Sequence, residues 1–523
     1  MARRVAKAAL FDPPLSVIRG EQIDAVYLDQ SVPEFVGNPL IESLPAFVTH
    51  GQLEERLSYF PPYDPKQREL SEEIRLHLLE NARELWVPQA IHYEVHLSIS
   101  NMLRRGYIDR NPAKRGAPVV QREKVRNFIS GLQQRAFLRS RARGVCVVGV
   151  GGLGKSTAIE RILSLYPQVI THSSYKGESL VLKQLVWVKL QCPGDGSLRA
   201  LCKSFLTEVD DILKTTYYVN FRASTMTKDD LLVAMARVAS NHYVGVVFFD
   251  EIQDLSEAKS GGAAQMLNFF VQMENVLGIP FGLIGTPKAR MLFAGEFRQA
   301  RRVSEQGDFF WHPMREIADE EKPDTESSRE PDPEWEIFVR AMWKYWYLRK
   351  GHSLPTNILE DEAVRRLYDC SKGIPAVVVT IFLLAQRRAI TSGKEDITKA
   401  IINSTVRDCQ YFVSQIFDSL RDGQDQRLGK RYRLSDIDSS EWRPPSSRKQ
   451  RHDSSKKNAK PLHVDSEASS ESSIKKKRNK SAKKKTDQYE ESDLRRLLDS
   501  KVVSGEAQVS VHTDALGVPD EFD

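Results

Sequence analysis

The stretch that decides the fold is Val145-Cys146-Val147-Val148-Gly149-Val150-Gly151-Gly152-Leu153-Gly154-Lys155-Ser156. Val145–Val148 is a short apolar run that reads as a buried strand. Gly149 to Ser156 then matches G-x-x-x-x-G-K-[ST] in full, and Thr157-Ala158-Ile159-Glu160-Arg161-Ile162-Leu163 reads as the helix that follows. Strand, glycine-rich turn and helix are the context in which this spacing has physical meaning. Glycines let backbone N–H groups close around phosphate oxygens, and the helix N-terminus adds positive potential. Gly149, Gly151, Gly152, Gly154, Lys155, Ser156 and Thr157 are therefore the candidate nucleotide-binding residues. Lys155 would neutralise the β- and γ-phosphates, and Ser156 would hold Mg²⁺.

Downstream, three more short apolar runs alternate with helical stretches: Leu185–Leu190, Val244–Phe249 and Phe281–Ile284. Each is rich in β-branched or aromatic residues, and each is bounded by polar, Gly or Pro residues. The pattern predicts a parallel α/β sheet covered on both faces. Val244-Gly245-Val246-Val247-Phe248-Phe249 runs into Asp250-Glu251, which places two carboxylates at the edge of the sheet where such folds bind ligands. Asp250 would bind Mg²⁺ through water, and Glu251 would polarise an attacking water. Phe281-Gly282-Leu283-Ile284-Gly285 ends at Thr286, whose hydroxyl would face the γ-phosphate or that water. These spacings together predict a nucleoside triphosphate, Mg²⁺ and hydrolysis. With no Asn-Lys-x-Asp motif to read guanine, ATP is favoured over GTP. Arg298-Gln299-Ala300-Arg301-Arg302-Val303 reads equally as a source of an arginine donated to a neighbouring subunit's nucleotide and as a basic helix end on a solvated face.

The chain has 523 residues, 41% hydrophobic and 28% charged, which excludes a collagen-like, disulfide-framework or wholly disordered chain. No apolar run of about 18 residues appears, which argues against a membrane span. The basic N-terminus leads into Phe11-Asp12-Pro13-Pro14 without an apolar stretch, which argues against a signal peptide. Five cysteines without metal-ligand spacing read as reduced thiols. The net charge of +6 is uneven: 15 Lys/Arg against four acids between Arg443 and Lys485 give that segment +11 and leave about −5 elsewhere.

Residues 1–142 read as Pro-rich connectors and helices, with helical spacing over Gln67–Leu85, Ile91–Leu103 and Lys124–Arg143. His92 and His96 share one helix face, and without a third ligand they read as ordinary histidines. Residues 143–318 are the α/β core. Asp319–Pro333, with seven acids, reads as a loop. Residues 333–433 are helical (Trp335–Trp346, Ile358–Cys370, Ala376–Ala389). Residues 434–523 are a Ser/Lys-rich tail too poor in apolar residues to offset the entropy of ordering. Within it Glu490–Leu498 would form a helix on meeting a partner. Its Lys475–Lys485 run suits duplex DNA by counterion release, and its few aromatics argue against stacking on single strands.

These motifs resemble the AAA+ ATPases, and more narrowly the MuB/TniB/TnsC group of transposition regulators, TnsC most of all. The resemblance is carried by Asn38-Pro39-Leu40-Ile41-Glu42-Ser43-Leu44-Pro45, Arg105-Gly106-Tyr107-Ile108-Asp109-Arg110-Asn111-Pro112, Tyr166-Pro167-Gln168-Val169-Ile170, Asp250-Glu251-Ile252-Gln253-Asp254-Leu255-Ser256, Met266-Leu267-Asn268-Phe269-Phe270 and Leu283-Ile284-Gly285-Thr286-Pro287-Lys288-Ala289-Arg290. It spans roughly Val32 to Ala389. It implies an AAA+ core with a helical lid, and Lys155/Ser156 and Asp250/Glu251 as the Walker A and B pairs. It also implies Thr286 as the first sensor and Arg302, with Arg301 adjacent, as the arginine finger. Lys372-Gly373-Ile374-Pro375 falls at the lid position where such proteins often place a sensor arginine, and no arginine stands there.

The resemblance further implies rings or filaments on double-stranded DNA, with Lys176, Lys183 and Lys259 as phosphate contacts. A target-selector protein would meet residues 1–142. Transposase and endonuclease subunits would meet the tail, in a bacterial cytoplasm at the nucleoid. Strand cutting and joining would belong to those partners. The alternatives are a clamp-loader- or helicase-loader-like ATPase and a nucleotide-gated signalling scaffold.

Overall fold

The structure, a computed structural model, describes residues 20–130, 141–257, 262–289, 308–318 and 330–409. Its centre is a five-stranded, all-parallel sheet in the order β5-β6-β7-β2-β8. The strands are β2 (Val145–Gly149), β5 (Trp187–Gln191), β6 (Val246–Asp250), β7 (Phe281–Gly285) and β8 (Asp308–Trp311). Every residue of β2, β6 and β7 is buried. Such strands are apolar without alternation because helices cover both faces of the sheet. Val145, Val147, Val246 and Phe248 enter one core, and Cys146, Val148, Val247 and Phe249 enter the other.

The order of strands positions the site. The turn after β2 and the acidic end of β6 flank β7, so the residue after β7 faces both. Helix α6 (Lys155–Leu163) follows the glycine-rich turn. On the second face lie α7 (Leu198–Leu213) and α9 (Lys228–Asn241), each N-capped by a hydroxyl: Ser197 accepts from Ala200 N, and Thr227 closes a capping box with Asp230.

The sequence reading differs from the structure in several local places. The apolar run Leu185–Leu190 is two strands that break at Val186. Leu185 ends β4 (Glu178–Leu185), which pairs antiparallel with β3 (Val169–Tyr175). With β1 (Gln22–Asp24) parallel to β3, they make a separate three-stranded sheet. Its hairpin turns at Lys176-Gly177, both at positive φ as a tight two-residue turn requires. Gln67–Leu85 is one 3₁₀ turn, the short helix α3 (Glu72–Leu78) and a second 3₁₀ stretch (Leu79–Glu84). The basic helix predicted from Lys124 begins earlier, as α5 (Ala117–Ser130), and residues 141–144 lie outside any helix.

Helix α4 (Ala90–Ile108) lays Val95, Ile99, Met102 and Leu103 into the first core, against the sheet. The helices after the sheet are α11 (Pro333–Trp343), α12 (Glu362–Ser371), α13 (Pro375–Thr391) and α14 (Lys399–Cys409). Asp332 and Asp361 cap α11 and α12, and Pro375 starts α13 at its first position. The N-terminal segment is tied to this helical part. The Arg75 guanidinium, fully buried, makes a bidentate pair with Glu395 (2.7 and 2.9 Å) and donates to the Tyr347 carbonyl. Tyr63 Oη donates to Trp346 O, and Tyr345 Oη to Pro61 O. No helix among the described residues is long and apolar enough to cross a membrane. Cys146, Cys192, Cys202 and Cys370 are free thiols.

His92 and His96 are core residues of α4. Burial holds both imidazoles down at about 4, against an ordinary value of 6.5. Between those values the unfolded chain binds more protons than the folded one, so stability rises with pH there. It is complete above about pH 6.5 and is lost as pH falls towards 4. Each histidine contributes at most about 1.4 kcal/mol per pH unit. The melting temperature is therefore expected to fall steadily between pH 6.5 and 5. The same scan on a His92→Gln, His96→Gln variant should be flatter; an equally steep fall would refute the assignment.

Candidate nucleotide-binding site

The turn after β2 is shaped by Gly152 and Gly154, both at positive φ; Gly154, at +90°, is the residue on which α6 starts. A side chain there would also run into the Trp86 ring, which lies 3.1 Å from where its Cβ would be. Lys155 is buried, and its Nζ donates to the Val150 carbonyl of the same turn (2.9 Å). Burial pushes the Lys155 ammonium down to about 8, with Glu251 and Asp250 pulling the other way.

Asp250 ends β6. Its Oδ1 accepts from the Glu251 backbone N–H (3.0 Å), and its Oδ2 lies 2.8 Å from Lys189 Nζ. The same ammonium meets Glu160 Oε1 of α6 at 2.7 Å. Burial lowers Lys189, but Asp250 and Glu160 outweigh it and its pKa is raised. Glu251 sits at a φ of +55°, an uncommon backbone state for a residue with a side chain. Burial raises its carboxyl above the usual range, against a hydrogen bond from Gln253 Nε2 to Glu251 Oε2. Thr286 is buried at the end of β7, and its Oγ1 has no hydrogen-bond partner among the described residues.

One cleft of about 1450 Å³ brings these together. Gly151, Gly152, Gly154, Lys155, Ser156, Thr157, Asp250, Glu251 and Thr286 all line it. Gly149 lies inside β2, below the turn. Lys176 and Lys183 belong to the three-stranded sheet: Lys176 stands at the hairpin turn over the Tyr175 ring, and Lys183 Nζ donates to Gln22 Oε1. Lys259, Arg301 and Arg302 lie outside the described residues, as do the acidic loop 319–329, the basic tail and Glu490–Leu498.

Sequence reasoning missed two parts of the cleft. Residues Glu80 to His92 form one wall, with Trp86 beside the glycine turn. The Arg161 guanidinium lies 4.9 Å over the Trp86 ring and 5.9 Å from that of Tyr59. Nothing in the spacing of Trp86 relates it to a turn almost seventy residues later. Lys189 carried a signal: a lysine between Val188 and Leu190 in a doubly covered strand needs a buried partner. Helix α13, which packs against residues 80–92 through Arg83 Nη1 donating to Thr380 Oγ1 (3.3 Å), adds Pro375, Ala376, Val377, Thr380 and Arg387 to the lining.

The donors suit a nucleotide with a hard divalent ion. A buried ammonium held only by a neutral carbonyl and a buried hydroxyl without a partner both accommodate phosphate oxygens. Ser156 and Asp250 offer hard oxygen ligands, and Mg²⁺ typically takes one or two carboxylates plus phosphate oxygens. Among the described residues no group of three or more His, Cys, Asp or Glu is placed to hold a metal alone.

A family model described as an AAA domain matches residues 138–293. The chain has the AAA+ P-loop fold. That fold implies nucleotide binding with a divalent metal. Similar solved structures include ORC2 of Aeropyrum pernix (14% identity, 57% of this chain and 69% of that one, TM-score 0.32). Another is the Walker-type ATPase of Pyrococcus abyssi (12% identity, 59% and 77%, TM-score 0.33). A third is Cdc6p of Pyrobaculum aerophilum (12% identity, 56% and 68%, TM-score 0.34). No curated protein matches the chain.

Trp86 makes the cleft directly observable. Adding ATP should change tryptophan emission, and Trp86→Phe should remove most of that change. Trp86→Ala should weaken ATP binding about tenfold, since base–aromatic stacking is worth about 1–3 kcal/mol. Equal affinity in titration calorimetry would rule the wall out as part of the nucleotide site.

Proposed function

We propose that this protein is an ATP-hydrolysing switch that assembles on duplex DNA and links the choice of a target site to a transposase. The observation that carries the hydrolytic part is the meeting, in one cleft, of Lys155, Ser156, Asp250, Glu251 and the unpartnered Thr286 hydroxyl. Lys155 and the backbone N–H groups of the glycine turn hold the phosphates. Ser156 and Asp250 hold Mg²⁺, which when bound neutralises phosphate charge. Glu251 orients and polarises the attacking water, and Thr286 donates to it or to the γ-phosphate. Burial raises the Glu251 carboxyl above the usual carboxylate range, which makes it a stronger proton acceptor.

Arg302, with Arg301 beside it, reaches the nucleotide of the adjacent subunit in this reading, so that ATP bridges two subunits and hydrolysis releases them. What supports DNA as the partner is the +11 segment from Arg443 to Lys485. What supports transposition is the set of stretches shared with the TnsC group, from Asn38–Pro45 through Leu283–Arg290. By that resemblance Lys176, Lys183 and Lys259 contact DNA phosphates, residues 1–142 meet the target selector, and the tail meets transposase and endonuclease subunits.

The test is binding to long duplex DNA with a non-hydrolysable ATP analogue against ADP, at two salt concentrations. Analogue-dependent binding with a sharp protein threshold and a steep salt dependence is expected, and Lys155→Ala should abolish it. Glu251→Gln should keep the analogue-bound assembly and lower kcat by at least a hundredfold. Equal binding with both nucleotides would overturn the switch. ATP-dependent binding to a protein ring, without DNA, would favour a loader instead.

A further inference from the structure

Gln253 joins the two ends of the catalytic edge. It lies in the 3₁₀ turn that follows Glu251 and is buried, at 7% exposure. Its Nε2 donates to Glu251 Oε2, and its Oε1 accepts the backbone N–H of Thr286 at 3.0 Å. One side-chain amide thus spans the acidic end of β6 and the end of β7. The neighbouring strand is cut to admit it. A Cβ on Gly285 would come 2.9 Å from Gln253 Oε1 and 2.5 Å from Ile252 Cγ2, so only glycine leaves room for this turn.

The backbone gives the clamp a task. Glu251 holds its side chain on a left-handed φ, a conformation that costs energy and persists only where the surroundings over-determine it. Asp250 fixes the Glu251 N–H from one side, and Gln253 fixes the carboxylate from the other. Gln253 Oε1 accepts the Thr286 backbone N–H, which anchors the Thr286 main chain, while the Thr286 hydroxyl has no hydrogen-bond partner among the described residues.

We infer that Gln253 is a positioning residue for ATP hydrolysis: its amide sets the Glu251 carboxylate and the Thr286 hydroxyl at a fixed separation, so that both address one water and one phosphate. This rests on the hydrolytic reading above. The Gln253 amide lines the same cleft, and the hydrogen bonds it makes to Glu251 and to the Thr286 backbone act on those two groups. Its loss therefore acts on turnover and leaves binding alone, because the glycine turn and Lys155 hold the phosphates independently.

The experiment is steady-state ATP hydrolysis by the full chain, with and without duplex DNA, alongside the affinity for the non-hydrolysable analogue. Gln253→Met keeps the volume and removes both hydrogen bonds. It should lower kcat ten- to a hundredfold while KM and the analogue Kd stay within about threefold. If the methionine variant does not fold, Gln253→Asn, polar but too short to span both partners, should give the same split. A kcat within twofold of wild type, or kcat and analogue affinity falling together, would overturn the inference. A wild-type chain that binds the analogue but never turns ATP over would instead overturn the hydrolytic reading, and this one with it.

Discussion

Two ammonium groups and two carboxylates share one edge of a sheet that is apolar on both faces, and the cost of keeping them there orders the structure around them. A charge taken from water must be repaid by a partner at close range. Lys189 is repaid in full by Asp250 at 2.8 Å and Glu160 at 2.7 Å, and its pKa rises. Lys155 Nζ donates to a neutral carbonyl, and burial outweighs the pull of Glu251 and Asp250, so its ammonium drops to about 8. The two lysines lie on the same edge with opposite shifts. One is a structural cation that joins α6 to β6. The other is a cation whose burial outweighs its nearby carboxylates, and under the proposed function a polyanion in the glycine turn would complete its compensation.

The same edge depends on parts of the chain distant in sequence. Trp86, Arg161 and α13 all line the cleft. What holds those walls is remote from the phosphates: the Arg75–Glu395 pair and the tyrosine hydroxyls of Tyr63 and Tyr345 pin the N-terminal segment to the helical part. A buried bidentate pair with its extra carbonyl acceptor is costly to break from one side.

The legible parts of this site are those whose chemistry is local in sequence. Gly149 to Ser156 declares itself because cradle, ammonium and hydroxyl must be contiguous to surround a phosphate. Asp250-Glu251 and Thr286 declare themselves because each ends an apolar strand. The order of the strands brings those ends together, and the parallel sheet follows from the same apolar runs. Trp86 was illegible because its role comes from the folding of residues 80–92 onto a turn far down the chain. The β3–β4 hairpin was illegible for a different reason. Its alternation is broken, with Val181 exposed and the polar His172 and Gln184 buried. Gln253 was quoted only within a resemblance, since a glutamine two residues past a carboxylate has no meaning until β7 is seen to donate its N–H.

The chain entering α13 meets the glycine turn by shape and not by charge. Lys372-Gly373-Ile374-Pro375 leads into α13 with no arginine, and the contact made there is of another kind. The Ala376 N–H donates to the Gly152 carbonyl at 3.2 Å, and Ile374 and Ala376 pack against the space a side chain on Gly152 would fill. An arginine at this point would sense phosphate charge directly. A backbone hydrogen bond senses the conformation of the glycine turn instead. Cations reach the cleft from the same helix only three turns later, at Arg387 and Arg388, and Arg388 is already engaged by Asp408 and the Ser404 carbonyl. The chain entering α13 thus meets the glycine turn through a backbone hydrogen bond, while the cation at that turn is Lys155 of α6.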